Sequence, residues 1–246
     1  AGRDFELIFI DDASTDATQA EAVGAQAEFG PAIVIVRHER NAGQSTALHT
    51  GFRVARHDWV VTLDGDGQND PADITRLLAV LEQPDRDRRV SLIAGLRQRR
   101  QDTWVRRLSS RIANAVRRSV LKDGVPDTGC GLKLIERSVF LNLPYFDHMH
   151  RFIPALVQQG GGRVISVPVS HRPRSWGRSK YGIGNRLFTG LVDLVELMDP
   201  PHAPSAAAGR SLDQSRQSIA LDRTSYAGVG LIVRRWAIWA RDIGRQ

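Results

Sequence analysis

The chain has 246 residues and 41% of them are hydrophobic, so it is long and apolar enough to bury a sizeable core. Its formal net charge is +7, from 34 lysines and arginines against 27 acidic residues. Because Cys130 is the single cysteine, an internal disulfide is excluded and a reducing compartment is favoured, and no apolar run has the length of a bilayer-spanning helix.

Strands and helices are predicted to alternate along the first 97 residues. Apolar, β-rich segments predict strands at residues 5–11, 32–38, 58–64 and 89–97. Helical patterns fill the intervals between them, at residues 13–30, 41–56 and 70–83. The expected N-cap of the first helix is Ser14 or Thr15, its expected stop is Gly30, and Pro71 is expected at or near the first position of the third helix. This alternation predicts an α/β fold with a mainly parallel central sheet and helices on both faces.

After Arg97 the pattern becomes helical and basic, over residues 104–121. A loop, a short strand and a helix are then predicted within residues 125–143. They are followed by a helix within 150–161, a strand within 163–174 and an apolar amphipathic helix over 181–198.

The proline-rich stretch "PPHAP" that starts at Pro200 divides the chain into a domain at residues 1–198 and a linker with a C-terminal tail at 199–246. The tail segment "GLIVRRWAIWARDIGR" is predicted to be a basic amphipathic helix. Its apolar members stand among arginines, and they are Leu231, Ile232, Trp236 and Trp239. A basic helix with tryptophans suits an anionic membrane surface.

Two pairs of acids follow two of the predicted strands. Asp11 and Asp12 end the first strand, and Asp64 and Asp66 lie at the end of the third. Ligands of open α/β sheets sit outside the carboxyl ends of the strands, so both pairs are expected at one edge. A divalent, oxygen-ligated metal such as Mg²⁺ or Mn²⁺ would relieve the repulsion between the carboxylates. The alternative is turn chemistry, in which aspartates serve as caps.

Basic residues concentrate in two further regions. Eleven arginines and two acids occupy residues 86–118, which fits phosphates, nucleic acid, an anionic membrane or a solvated helix face. The segment "HRPRSWGRSKYG", from His171 to Gly182, sets four cations around two glycines and is predicted to be a mobile phosphate-binding loop or a plain surface loop. Small residues in "DTGCGLK", from Asp127 to Lys133, would let backbone approach a ligand, while Cys130 is expected to be a buried thiol.

Taken together, these segments resemble family 2 glycosyltransferases. "IDDASTDAT" resembles the family's D-D-x-S-x-D-x-T signature, "LDGDGQNDP" its D-x-D metal motif, and "NAGQSTAL" the segment between them. "DTGCGLK", "HRFIPAL" and "HRPRSWGRSKYG" are similar to later motifs of the dolichyl- or polyprenyl-phosphate sugar synthases, the dolichol-phosphate mannosyltransferase-like subgroup. The resemblance runs from about Phe5 to Met198 and is specific for the subgroup, though not for the sugar.

The resemblance implies a GT-A fold and an inverting hexosyltransferase. The enzyme would move a sugar, mannose or glucose first among the expectations, from a GDP- or UDP-sugar to a polyprenyl or dolichyl phosphate. It would work peripherally at the cytoplasmic face of a membrane. An acceptor that is already a phosphate anion needs no strong general base.

The resemblance also implies roles for particular residues. Asp11 and Asp12 would bind the nucleotide sugar, with Asp12 on the nucleoside. Asp64, Asp66 and Gln68 would hold the metal and the diphosphate. The implied phosphate-binding residues are Arg97, Arg107, Arg174 and Lys180. Asp66, Arg97 and Asp127 form the implied catalytic set, with Asp127 as a positioning residue only.

Two departures from the family pattern are expected to matter. The family begins with a strand ending in P-x-x-N-E, which this chain lacks, so the first strand and part of the nucleotide pocket are expected to be missing. The family's apolar helix usually continues into membrane-associated or membrane-spanning segments, whereas here it ends at "MDPPHAP". Two other functions stay open: a family 2 transferase with a polysaccharide or protein acceptor, and a basic nucleic-acid-binding protein that needs no metal.

Overall fold

The computed structural model describes residues 4–30, 32–97, 125, 127–172 and, for the backbone alone, 229–234. These residues form one sheet of seven strands. In chain order the strands are β1 (Phe5–Asp11), β2 (Ile33–Arg37), β3 (Trp59–Asp64), β4 (Val90–Arg97), β5 (Lys133–Glu136), β6 (Arg163–Val169) and β7 (Val229–Arg234). Their order across the sheet is β2-β1-β7-β3-β5-β4-β6.

The sheet is mainly parallel, as the alternation of strands and helices predicts. Strand β5 is antiparallel to both of its neighbours, β3 and β4, while the other pairs run parallel. The carboxyl ends of the six parallel strands therefore lie at one edge, together with the amino end of β5. This edge is called the carboxyl edge below.

Helices cover both faces of the sheet. They are α1 (Thr18–Phe29), α2 (Gly43–Val54), α3 (Ile74–Leu81), α4 (Arg137–Leu141) and α5 (Ile153–Gln159), with short 3₁₀ turns at Pro71–Asp73 and Met149–Arg151. Alternate residues of β1 enter different cores. Ile8 and Ile10 pack with Phe52 of α2 in one core, and Leu7 and Phe9 pack with side chains of α1 in the other. The described ranges contain no helix with the length and apolarity needed to cross a bilayer.

The C-terminal segment corrects one prediction. Instead of belonging to a basic amphipathic helix, Val229–Arg234 forms β7, a parallel strand in the middle of the sheet between β1 and β3. Its run of glycine, leucine, isoleucine and valine suits a strand with parallel neighbours on both sides, which has no need to alternate apolar and polar residues. The helical prediction failed because a short apolar run fits either structure.

Most other elements lie where the sequence predicts them, with one error at a helix start. Helix α1 begins at Thr18, not after Ser14 or Thr15, because the side chain of Asp16 accepts the Thr18 backbone N–H at 3.1 Å. Gly30 ends this helix with a φ of 84°, as expected. Pro71 opens the 3₁₀ turn before α3, and Asp70 caps that turn. The predicted helices at 104–121 and 181–198 lie outside the described residues.

Candidate active site

The carboxylate of Asp12 holds the start of α2. Its Oδ1 accepts the backbone N–H of Ala42 at 2.8 Å and its Oδ2 accepts that of Gly43 at 2.9 Å. The same Oδ1 lies 2.8 Å from Nδ1 of His38, whose Nε2 lies 3.0 Å from the hydroxyl of Thr50. A buried carboxylate on free backbone N–H groups at a helix start is a favourable arrangement. Asp12 therefore fixes where α2 begins.

Helix α2 in turn links the two acid pairs. Gln44, its second residue, donates from Nε2 to Oδ1 of Asp64 at 3.1 Å. On its other side the Asp64 carboxylate faces Gly131, where a Cβ atom would lie 2.2 Å from Oδ2. Only a glycine leaves room for the carboxylate at this point. One small residue of "DTGCGLK" thus permits the close approach of an acid of the site, while the expected approach of a ligand to this segment stays a prediction.

Asp66 and Gln68 form a tight turn after β3. The backbone N–H of Gln68 donates to Oδ1 of Asp66 at 3.1 Å, and Gly67 between them has a φ of 74°, a conformation that favours glycine. The side-chain nitrogen Nε2 of Gln68 lies 3.4 Å from Nε2 of His171. The D-x-D motif therefore contacts the first residue of the predicted phosphate-binding loop.

That loop is fastened to the D-x-D turn where it starts. The backbone N–H of Arg172 donates to the carbonyl of Gln68 at 2.9 Å, and its guanidinium donates to Asp70 at 2.6 Å. The N–H of Ser170 donates to Asp73 at 2.6 Å. Arg174 and Lys180, predicted to bind phosphate, lie outside the described residues, as does Arg107. Their roles stay predictions.

Arg97 and Asp127 form a bidentate ion pair beside Asp64. Nε of Arg97 donates to Oδ2 of Asp127 at 2.7 Å and Nη2 to Oδ1 at 2.8 Å. Burial would lower the pKa of the Arg97 guanidinium, but the hydrogen bonds and charge of Asp127 raise it overall, with a smaller contribution from Asp64. The pairing suits a positioning role for Asp127, which orients Arg97 at the carboxyl edge.

Lys133 and Cys130 interact electrostatically with this pair. The ammonium group of Lys133 is buried and donates to the carbonyl of Cys130, and burial lowers its pKa, against the opposing charges of Cys130, Asp64 and Asp127. Burial raises the pKa of the Cys130 thiol, which is inaccessible to solvent. Cys130 is therefore a buried thiol, as predicted, and not a nucleophile.

Asp11, the remaining sequence candidate, is also buried. Its Oδ1 accepts the backbone N–H of Ser14 at 2.9 Å, and Oδ2 lies 3.6 Å from Nε of Arg37. The structure thus places Asp11 and Asp12 at the end of β1 and Asp64 and Asp66 at the end of β3, all at the carboxyl edge with Arg97 and Asp127.

Sequence comparison assigns this arrangement to a family. The profile described as "Glycosyl transferase family 2" matches residues 1–143, which include both acid motifs and the "DTGCGLK" loop. The chain belongs to glycosyltransferase family 2.

The names of two curated relatives of this glycosyltransferase chain each include a polyprenyl phosphate. The chain is 38% identical over 197 residues to "Dodecaprenyl-phosphate galacturonate synthase" of Rhizobium johnstonii, covering 79% of this chain and 57% of the relative. It is 36% identical over 194 residues to "Undecaprenyl-phosphate 4-deoxy-4-formamido-L-arabinose transferase" of an Enterobacter species, covering 79% and 58%. The chain therefore spans less than two thirds of the length of either relative.

Solved structures of low sequence identity share the fold. A glucosyl-3-phosphoglycerate synthase from Mycobacterium tuberculosis, in complex with phosphoglyceric acid, has a TM-score of 0.55 at 17% identity, covering 79% of this chain and 78% of that one. A mannosyltransferase from Pyrobaculum calidifontis, in complex with GDP-Man and Mn²⁺, has a TM-score of 0.53 at 22% identity, covering 81% and 56%. The family 2 chain has the GT-A fold that the sequence predicts.

The donor set of the site fits a hard divalent cation. In the part of the chain that the structure describes, no three His, Cys, Asp or Glu side chains form a metal-binding group. Mg²⁺, however, is commonly held by one or two carboxylates together with substrate phosphates and water. Asp64 and Asp66 supply two carboxylates on one strand end, and Gln68 adds an amide oxygen.

Sequence reasoning missed three contributors to the site: Gln44, Gly131 and His38. Gln44 stands within "NAGQSTAL" and Gly131 within "DTGCGLK", so the segments were recognised but not the individual contacts with Asp64. His38 directly follows the second strand. The sequence around it gave no indication that it belongs to the site, because its partner Asp12 is 26 residues away.

Replacing Asp127 by asparagine is expected to lower the free energy of unfolding by about 1–3 kcal/mol, because it leaves the partly buried Arg97 guanidinium without its main counter-charge. The measurement is the urea unfolding midpoint. Asp87→Asn is the matched control, since Asp87 pairs with Arg89 and Arg163 at the surface. Its midpoint should change little. Equal shifts in the two variants would contradict a structural pairing of Arg97 with Asp127.

Proposed function

We propose that this glycosyltransferase moves a sugar from a nucleotide sugar to a polyprenyl phosphate, with inversion at the anomeric carbon. The observation that carries the proposal is the convergence of Asp12, Asp64 and Asp66 with Arg97 at one edge of the sheet. The names of the curated relatives support the lipid acceptor.

A bound Mg²⁺ or Mn²⁺ would neutralise the nucleoside diphosphate as it leaves the sugar. Asp64 and Asp66 would hold the ion, with Gln68 beside them. Two contacts keep the Asp64 carboxylate in place: the amide of Gln44 on one side and the backbone at Gly131 on the other. Solved structures of this fold in complex with Mn²⁺ support the choice of metal.

Arg97 would bind a phosphate group of the substrates. Its guanidinium is held by Asp127 in a fixed orientation, so little reorganisation is needed when charge develops nearby. The acceptor phosphate is already an anion, and no residue of the chain is assigned as a strong general base. Asp11 and Asp12 would hold the nucleotide end of the donor. Both oxygens of Asp12 already bind the start of α2, so its contact with the nucleoside stays a prediction.

The proposed range of donor sugars is wider than the mannose or glucose expected from the sequence. Mannose or glucose receives no support from the curated relatives, whose names specify galacturonate and 4-deoxy-4-formamido-L-arabinose. Sugars of these two kinds are therefore the leading donors, carried by UDP or GDP. The dolichol-phosphate mannosyltransferase type remains the second choice.

The site of action is proposed to be the cytoplasmic face of a membrane, because a polyprenyl phosphate presents its phosphate at a lipid surface. Residues Val229–Arg234 form a strand of the sheet. This part of the tail is therefore not the amphipathic helix that was predicted to bind a membrane, and it does not support the proposed location. Trp236 and Trp239 lie outside the described residues, so peripheral binding to anionic lipid stays a prediction.

The nucleic-acid alternative finds little support among the described arginines of the 86–118 region. The guanidinium of Arg86 lies 5.4 Å from the ring centre of Trp59 and donates to two backbone carbonyls, and Arg89 pairs with Asp87. Arg86 and Arg89 therefore contact other groups of the protein itself. Acids at the carboxyl edge would also repel a nucleic acid backbone.

Incubating the purified chain with Mn²⁺, labelled nucleotide sugars and undecaprenyl phosphate in detergent is expected to give a labelled lipid product. The donors to compare are UDP-galacturonate, UDP-4-deoxy-4-formamido-L-arabinose, UDP-glucose and GDP-mannose. EDTA should stop the reaction, and undecaprenol without its phosphate should not accept sugar. Transfer to 3-phosphoglycerate but not to the lipid would contradict the proposed acceptor, and transfer undiminished by EDTA would contradict the metal.

A further inference from the structure

His38 connects strand β1 to helix α2. Its backbone N–H donates to the carbonyl of Asp11 at 2.8 Å. In its side chain, Nδ1 lies 2.8 Å from Oδ1 of Asp12, and Nε2 lies 3.0 Å from the hydroxyl of Thr50 in the second half of α2. Only 12% of the His38 side chain and 5% of the Asp12 side chain are exposed, so water cannot easily replace the bond between them.

The contacts with Asp12 and Thr50 fix one tautomer of the neutral imidazole. The Asp12 carboxylate offers only acceptors, so Nδ1 of His38 carries the proton and donates. The other ring nitrogen is then an acceptor, and the Thr50 hydroxyl donates to it. A threonine of α2 therefore orients the ring that contacts Asp12.

The start of α2 connects Asp12 with Asp64. The Asp12 oxygen that His38 contacts also accepts the backbone N–H of Ala42, and the second oxygen accepts that of Gly43. The next residue, Gln44, donates its amide to Oδ1 of Asp64. A shift of the Asp12 carboxylate would therefore move the backbone that places this amide against Asp64.

We propose that His38 is a positioning residue of the active site. It holds the Asp12 carboxylate and the start of α2 in place, and so keeps the Gln44 amide against Asp64. His38 would thereby raise the affinity of the proposed Asp64 and Asp66 site for its divalent cation without contacting the ion. The inference rests on the proposed function for the metal at Asp64, and on the hydrogen bonds of His38 for the residue.

The test is the affinity of the full chain for Mn²⁺, measured by electron paramagnetic resonance without substrate. His38→Leu fills the same space but makes no hydrogen bond, and it is expected to weaken Mn²⁺ binding by about tenfold, as changes behind metal ligands commonly do. His38→Asn keeps an N–H donor near the position of Nδ1 and should recover most of the affinity. Each variant is measured at a temperature at which circular dichroism shows that it is folded.

Two further variants separate positioning from a general loss of stability. His57→Leu is the matched control, because it makes the same change at a buried histidine just before β3, at the far edge of the sheet. It should bind Mn²⁺ as the wild type does, even if its unfolding midpoint falls. Thr50→Val takes the place of His38→Leu if that variant does not fold. It removes only the hydroxyl that orients the imidazole, and its Mn²⁺ affinity should fall by a smaller factor.

A double-mutant cycle tests the route through α2. Gln44→Leu removes the amide that contacts Asp64 and should itself weaken Mn²⁺ binding. If His38 acts through this amide, adding His38→Leu to Gln44→Leu should cause little further loss, whereas independent effects would multiply.

The outcomes distinguish this inference from the proposed function. Loss of affinity in His38→Leu, its recovery in His38→Asn and a non-multiplying loss with Gln44→Leu would support the positioning role. Unchanged Mn²⁺ binding in the His38 or Thr50 variant, an equal loss in His57→Leu, or multiplying losses with Gln44→Leu would overturn it and leave the proposed function standing. A wild-type chain that binds no Mn²⁺ would overturn both this role and the proposed metal site.

Discussion

Asp66→Asn is expected to reduce sugar transfer on the order of a hundredfold or more, since a neutral amide would bind the divalent cation of the proposed metal site more weakly than the carboxylate would. Asp66 lies in the turn after β3, where its Oδ1 accepts the N–H of Gln68. Asparagine keeps this acceptor, so the unfolding midpoint should stay close to that of the wild type. The measurement is the rate of lipid-linked product formation at saturating Mn²⁺.

A matched control lies just before the opposite end of the same strand. Asp58→Asn makes the same chemical change at an exposed position before the amino end of β3, at the far edge of the sheet. Its activity should match the wild type. If Asp66→Asn also transferred sugar at the wild-type rate, Asp66 would have no part in holding the metal.

Gly131→Ala is expected to lower kcat/KM by about a hundredfold, because it would displace Asp64, which is proposed to hold the metal, and a displacement of about 1 Å in a reacting site can cost that much. The new Cβ would lie 2.2 Å from Oδ2 and 2.5 Å from Cγ of Asp64, so the carboxylate must move. Its hydrogen bond from Gln44 would then be lost or lengthened. The affinity for Mn²⁺, measured by electron paramagnetic resonance, should fall with the activity.

Gly24→Ala supplies the control for this variant. No atom lies within 4 Å of a Cβ built at Gly24, and the residue is inside α1. The change should leave activity unaltered and raise the free energy of unfolding by about 0.5–1 kcal/mol, the usual helix preference of alanine over glycine. Full activity in Gly131→Ala would show that the position of the Asp64 carboxylate does not limit the reaction.

Local patterns were enough to predict most of the fold. The strands from β1 to β4 follow from apolar runs, and the order of strands and helices gives the parallel sheet. The acid motifs could be placed at one edge because parallel strands share a direction, and no knowledge of distant contacts was needed. The segment predicted to be a phosphate-binding loop was singled out by its basic composition, which gave no sign of its attachment to Gln68 and Asp70.

The parts that could not be predicted depend on contacts between distant residues. Gly131 meets Asp64 across 67 positions of sequence, and nothing near either residue signals the other. Strand β7 lies between β1 and β3 through backbone pairing with both strands, whereas its sequence alone suits a helix as well. The start of α1 was missed because the side chain of Asp16, rather than a serine or threonine, binds the first turn.

The place of β7 also determines the order in which the molecule can fold. Strand β3 ends at Asp64 and β7 begins at Val229, so the centre of the sheet closes only after a separation of 165 residues has been bridged. Contacts of such long range make folding slow. Until they form, β1 and β3 expose unpaired edges that can pair with other chains. Newly synthesised protein should therefore pass through an aggregation-prone intermediate. The yield of soluble protein should depend strongly on growth temperature and on chaperones, even if the folded sheet is stable.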